Sequence, residues 1–367
     1  MLKIVCIVGA RPNFVKIPSL IKEFKAASSI SSYLVHTGQH YDGFMSDVFF
    51  SDLYIEKPDV FFGVGAGTPI WQIANIMIKG EEYLKELEPD LMVVVGDVNS
   101  TLAMSLVGKK MGIPVAHVEA GLRSRNWLMP EESNRVLTDR LSELLFTPTE
   151  EDTQNLLDEG IDKDKIFMVG NIMIDSLLIN IEKAPDREVI LKKLNISAAS
   201  YSLVTLHRPE CVDNKEQLSN VISAFDKIQR EVSIIWPIHP RTRKNLSEFG
   251  LLERLNKMPD LTLLEPLGYL EFLSLMKNAL FVMTDSGGIQ EETTVLNVPC
   301  LTLREETERP ITVTQGTNEV VGLAEKDIIE AAFDLIGGKK MEGKIPKYWD
   351  GNTSKRIVKR ILEWKEK

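Results

Sequence analysis

The 367-residue chain carries 43 Lys and Arg against 53 Asp and Glu, a formal net charge of −10 at pH 7. That balance argues against general affinity for nucleic acid or an anionic membrane surface. With 44% hydrophobic and 26% charged residues the composition is that of a soluble globular protein, and the length predicts two domains.

Apolar strand-like runs alternate with amphipathic helical runs over nearly the whole length. Strands are predicted near 2–8, 33–37, 91–95, 114–118, 144–147 and 166–169, then near 201–206, 232–238, 261–264, 280–284 and 299–303. Helices are predicted over 13–27, 69–88, 98–111, 131–142, 215–230 and 269–278. Such alternation predicts right-handed βαβ units and parallel sheets. The expected fold class is therefore α/β, two doubly wound Rossmann-like domains facing a cleft. The pattern is interrupted near 183–200, at Pro185 and the stretch NISAASYS, which sets the expected division at 1–178, 179–350 and a final helix within 351–367. Ile357, Ile361 and Leu362 stand at helical spacing in that last segment, so it should pack on a partner surface. No apolar run approaches the roughly 18 residues of a membrane span. The chain opens on a strand-like LKIVCIV instead of a signal-peptide pattern. Cys6, Cys211 and Cys300 show no CxxC spacing, and two of them fall in apolar runs. Buried thiols and a cytoplasmic location are expected.

In open parallel sheets ligands bind beyond the carboxyl ends of the strands, and polar residues concentrate there. VGARPNFVK places Arg11 and Lys16 around a Gly turn and a helix start, a plausible grip for a diphosphate. HTGQHYD offers Gln39 and His40. VVVGDVNST puts Asp97 just past a buried run, and HVEAGLRS leaves Glu119 and Arg123 at the same rim, with His117 read as a core histidine. In MPEESNR, Pro130 opens a helix on which Glu131 and Arg135 stand at i and i+4, on one face. Asp97, Glu119 and Glu131 thus come from three elements to one rim. Carboxylates gathered in this way raise one another's pKa, which suits proton donors and acceptors used near neutrality.

The second half supplies cations and rings. His207 and Arg208 end one strand; His239, Arg241 and Arg243 end the next. Neither HxH nor HExxH occurs, so no zinc site is expected. Tyr269 and Phe272 begin a helix and offer rings to a base. LFVMTDSGGIQEE runs from a strand through Gly287-Gly288 into a helix expected to begin near Ile289. Open N–H groups and the helix dipole there suit a phosphate, with Glu291 and Glu292 placed for sugar hydroxyls. LTLREETERP brings Arg304 and Arg309 back toward this rim.

In chain order, GARPNFVK, GDVNSTLA, HVEAGLRS, MPEESNR, TLHRPE, HPRTR, TDSGGIQEE and LREETERP resemble the non-hydrolysing UDP-N-acetylglucosamine 2-epimerase family. The resemblance implies a GT-B fold, a homodimer, a C-terminal helix packed back on the N-terminal domain, and chemistry without nicotinamide or metal cofactor. It implies interconversion of UDP-GlcNAc and UDP-ManNAc through 2-acetamidoglucal and bound UDP, in the service of cell-surface polysaccharides. Asp97, Glu119 and Glu131 match the acid–base carboxylates, and His207 the histidine near the diphosphate. Arg11, Lys16, Arg135, Ser286, Gly287, Gly288, Glu292 and Arg309 match nucleotide-sugar contacts, with Glu292 on the ribose and Phe272 at the uracil. His239 joins this set through its strand-end position. Some blocks also look like relatives acting on UDP-2,3-diacetamido-2,3-dideoxy-glucuronate, whose extra carboxylate would meet Arg241 or Arg243. A GT-B glycosyltransferase is the more distant alternative.

Overall fold

A computed structural model describes residues 1–39 and 57–366, except for the side chains of Arg11 and Pro12. The candidate His40 and the Arg11 side chain therefore lie outside the described residues. The chain forms two compact units, Met1–Ile179 with Lys347–Lys367, and Asn180–Pro346.

The first unit is built on seven strands: β1 (Leu2–Val8), β2 (Ile30–His36), β3 (Val60–Phe61), β4 (Leu91–Val95), β5 (Val115–Val118), β6 (Leu144–Thr147) and β7 (Ile166–Met168). Their order in the sheet is β3-β2-β1-β4-β5-β6-β7, and every neighbouring pair is parallel. All five residues of β4, LMVVV, are buried, as expected for a central strand covered on both faces. Val5, Ile7, Met92 and Val94 meet Ile76, Leu84, Ala103 and Met104 from the helices Pro69–Leu87 and Asn99–Met111. Residues of the opposite parity face the other side, where the helix Arg11–Ala26 packs on β1 and β4.

The second unit repeats the plan with β8 (Tyr201–Thr205), β9 (Ser233–Pro237), β10 (Leu261–Leu264), β11 (Phe281–Thr284), β12 (Cys300–Thr302) and β13 (Asn318–Val320). The order is β10-β9-β8-β11-β12-β13, again all parallel. Phe225 and Trp236 meet edge to face at 5.4 Å inside its core. Both sheets reverse direction of growth beside their first strand, between β1 and β4 and between β8 and β11. These are the topological switch points where doubly wound folds bind ligands.

The sequence reading missed β3 and β13. Each is an edge strand of two or three residues, too short to show a period.

The helix Thr353–Lys365 belongs to the first unit and packs on the helix Arg11–Ala26. Ile357 and Ile361 are buried there. Asp175 caps its N-terminus through space, accepting the Thr353 N–H on Oδ1 at 3.0 Å and the Ser354 N–H on Oδ2 at 2.7 Å. No helix among the described residues is long and apolar enough to cross a membrane. All three cysteines are buried and free, and burial pushes their thiols well up from the ordinary range.

Candidate active site

Past β1 the chain turns into the helix Arg11–Ala26, and Asn13 holds that turn. Its Oδ1 accepts from the N–H groups of Gly9 and Ala10, both at 3.1 Å, while its Nδ2 donates to the Val95 carbonyl at 2.9 Å. The loops after β1 and β4 are thus tied across the first switch point. One turn further on, Lys16 Nζ lies 2.5 Å from Glu119 Oε2, with the two side chains 11% and 3% exposed. Glu119 ends β5 with φ of 70°, a left-handed conformation that costs a non-glycine residue energy and concentrates at functional sites. Its Oε1 is buried with no hydrogen-bond partner. Gly96 turns with φ of 69°, and a Cβ there would stand 3.3 Å from Glu119 Oε2 and 3.8 Å from Lys16 Nζ. The Lys16–Glu119 pair therefore rests against the turn that carries Asp97.

Asp97 is gripped from the helix Pro130–Leu141. Arg135 meets its Oδ2 through Nε at 3.0 Å and Nη2 at 2.9 Å, and Asn134 Nδ2 donates to its carbonyl at 2.9 Å. The helix turns Glu132, Asn134, Arg135, Thr138 and Asp139 inward and leaves Glu131 half-buried. Arg135 pairs with Glu132 and Asp97. Glu132 is drawn below the usual carboxylate range. Burial acts to raise it, but the N–H groups of Ser124 and Arg125, the Ser124 hydroxyl and Arg135 prevail.

Asp97 and Glu119 are each matched by a buried cation, Arg135 and Lys16. His117 is the core histidine the sequence suggested, wholly buried between Asp139 Oδ1 at 2.6 Å and the Gly96 carbonyl at 2.8 Å. Gln39 is also spent structurally, its Oε1 accepting from the N–H and hydroxyl of Ser100.

At the second switch point His207 and Arg208 follow β8 and Asp285 follows β11. Asp285 is fully buried. Its Oδ2 accepts from the backbone N–H groups of His207 and Arg208, both at 2.7 Å, and its Oδ1 lies 3.1 Å from His207 Nδ1. Exposed His239 ends the loop after β9, and its ring centroid is 5.7 Å from that of His207.

The helix Gly287–Leu296 starts two residues before the expected Ile289, so both glycines stand in its first turn. The first of them is closely packed: a Cβ at Gly287 would meet Glu308 Oε1 at 3.1 Å. Ser286 is the N-cap residue but forms no side-chain cap, which leaves the first-turn N–H groups without a side-chain acceptor from the cap. Behind them, Glu308 takes Arg304 Nη1 at 2.6 Å and Arg208 Nη2 at 3.1 Å, and Arg309 Nε lies 2.6 Å from Glu291. Burial would raise Glu308, but Arg309, Arg208 and Arg304 outweigh it and bring its carboxyl down to about 2. Ionised near neutrality, it holds the guanidiniums of Arg304 and Arg208 beside the helix start, while Glu291 holds that of Arg309.

Tyr269 opens the helix Tyr269–Lys277 and donates its hydroxyl to Glu292 Oε1 at 2.6 Å; Phe272 lies half-buried on the same helix. Burial pushes the Glu292 carboxyl up from 4.5 to about 7 in spite of the Tyr269 hydrogen bond. Between those two values the folded chain keeps a proton that the unfolded chain has lost. This group's contribution to stability is full below 4.5 and is lost as pH rises through 7. Glu292→Gln, which keeps an acceptor for Tyr269, should flatten that part of the stability profile. Denaturant midpoints at about pH 5 and about pH 8 test this, and an unchanged fall with pH in the variant would contradict it.

The sequence reading missed Asn13, Asn134, Asp285 and Glu308 as site residues. Asp285 was the most visible of them, a carboxylate at a strand end next to a glycine pair. Among the described residues no group of three or more His, Cys, Asp and Glu side chains could hold a metal ion.

A family model described as UDP-N-acetylglucosamine 2-epimerase matches residues 22–362. A Methanocaldococcus jannaschii protein named UDP-N-acetylglucosamine 2-epimerase is 44% identical over 99% of both chains. The crystal structure of the M. jannaschii UDP-GlcNAc 2-epimerase with UDP-GlcNAc and UDP superposes with a TM-score of 0.90, covering 99% of this chain and 100% of that one. The Neisseria meningitidis UDP-GlcNAc 2-epimerase bound to UDP-GlcNAc gives a TM-score of 0.89 at 34% identity, over 99% of this chain and 100% of that one. A Pseudomonas aeruginosa protein named UDP-2,3-diacetamido-2,3-dideoxy-D-glucuronate 2-epimerase is 38% identical over 99% of this chain and 100% of its own.

Proposed function

The chain belongs to the UDP-N-acetylglucosamine 2-epimerase family, and from that premise we propose that it is a non-hydrolysing enzyme inverting C2 of UDP-GlcNAc to give UDP-ManNAc. The observation that carries the reading is the pairing of Asp97 with Arg135 and of Glu119 with Lys16 at one switch point. Two carboxylates of that kind, each beside a cation, suit removal of the C2 proton and its return.

The C2–H electron pair becomes the C1=C2 bond of 2-acetamidoglucal while the C1–O pair leaves with UDP. Re-addition of UDP follows protonation of the opposite face of C2. Asp97 and Glu119 handle the proton, and Glu131 belongs to the set by resemblance. Lys16 and Arg135 meet the nucleotide sugar from the first unit, and Arg11 belongs to the set by resemblance. In the second unit the N–H groups at Gly287 and Gly288, with Ser286, Arg309, His207 and His239, stabilise the departing diphosphate where charge develops. Glu292 takes the ribose hydroxyls and Phe272 the uracil. The enzyme is read as a cytoplasmic homodimer.

The diacetamido-uronate is the second candidate substrate, favoured by the P. aeruginosa relative. The arginines considered for its extra carboxylate already have acids: Arg241 Nε lies 2.8 Å from Asp213 and Arg243 Nη2 2.8 Å from Glu265. That favours UDP-GlcNAc. Incubation with each sugar nucleotide, followed by separation of products, tests the reading. UDP-ManNAc from UDP-GlcNAc is the expected result. Release of free ManNAc, or turnover of the uronate alone, would overturn it.

A further inference from the structure

We propose that Asp285 is a positioning residue for the reaction, holding the ring hydrogen of His207 on Nδ1 so that Nε2 is the nitrogen that meets the departing diphosphate. The role given to Nε2 rests on the epimerase reading; the hydrogen position on the ring does not.

The geometry leaves the carboxylate little freedom. Oδ2 is fixed by two backbone N–H groups of consecutive residues, both at 2.7 Å, and this turns Oδ1 toward His207 Nδ1 at 3.1 Å. Burial would raise the Asp285 carboxyl, but His207 and the two N–H groups hold it below the usual range. An ionised carboxylate only accepts, and Oδ1 has no other hydrogen-bond partner, so a hydrogen on Nδ1 is what satisfies it. The lone pair of the neutral ring is then on Nε2, on a side chain 38% exposed beside a carboxylate that is not exposed at all. When Nε2 takes up a proton, the charge created is balanced by Asp285 across the ring. In the forward step the C2 proton goes to a carboxylate of the first unit. The C2–H pair forms C1=C2, the C1–O pair leaves with UDP, and the His207 ring, having taken its second proton from solvent on Nε2, donates that N–H to a diphosphate oxygen of the leaving anion while Asp285 balances the ring charge.

A purely structural role for Asp285, pinning the loop after β8 to the end of β11, is separable from this one. In Asp285→Asn the amide oxygen can keep both backbone N–H groups, while its NH₂ faces Nδ1 and demands a lone pair there. The loop stays anchored and the ring hydrogen moves to Nε2.

Long-range ¹H–¹⁵N spectra of the full-length protein read this directly. The chain has only five histidines, and His207→Gln identifies the signal. Neutral His207 should carry its hydrogen on Nδ1 in the wild type and on Nε2 in Asp285→Asn. The variant should lose about 10²-fold or more in kcat, with UDP affinity nearly unchanged. A wild-type His207 protonated on Nε2, or an unaltered tautomer in the variant, would overturn the proposal. So would parallel losses of kcat and UDP affinity. Absence of turnover in the wild type would overturn the epimerase reading instead, and the wild-type spectrum would still decide where the hydrogen lies.

Discussion

Asp97→Asn should lower the rate of epimerisation by about 10²–10⁴-fold, the range expected for loss of a positioned general base, and leave UDP affinity nearly unchanged. The substitution is isosteric. The amide oxygen can still accept from Arg135, which keeps its second partner Glu132, and the Asn134 bond is to the backbone of residue 97. What disappears is the ability to take a proton. Turnover assays and UDP titration by calorimetry separate the two effects. A large loss of UDP affinity would mean that Asp97 serves to aim Arg135 at the nucleotide and does not act on C2.

The second large effect is on stability. Lys16→Met should destabilise the protein by about 3–5 kcal/mol, the usual result of removing one member of a buried ion pair. The pair is shielded from solvent, at 11% and 3% exposure, so the weak-surface-bridge discount does not apply. Glu119 already has one buried oxygen without a partner; without Lys16 its second would also face no cation. Adding Glu119→Gln to Lys16→Met should return part of the loss, because the uncompensated charge goes with it. Denaturant midpoints at constant m-value measure both steps. A single variant within about 0.5 kcal/mol of wild type would show that the carboxylate is hydrated.

The longer strands and the strand ends were legible because a parallel sheet covered on both faces needs continuous apolar runs, as in LMVVV. At their carboxyl ends the polar residues stand out against that background. β3 and β13 were not legible, since edge strands of two or three residues take their structure from a neighbour and not from their own pattern.

Helical spacing shows which residues share a face with Arg135 but not its partners: a buried guanidinium goes to the acids the tertiary structure supplies, here Glu132 and Asp97. Asn13 and Asp285 were hidden for a related reason. Each serves backbone groups brought together at a switch point: Asn13 bonds to Gly9, Ala10 and Val95, Asp285 to His207 and Arg208. Such partners are up to 82 residues apart in the chain, and no local pattern encodes them.

The central claim is that C2 loses its proton to a protein carboxylate and regains one from solvent-exchanged acid. Turnover of UDP-GlcNAc in D₂O, followed at C2 by NMR, tests it most directly. The account predicts UDP-ManNAc carrying deuterium at C2, and exchange abolished in Asp97→Asn. UDP-ManNAc formed with its original hydrogen at C2 would contradict it.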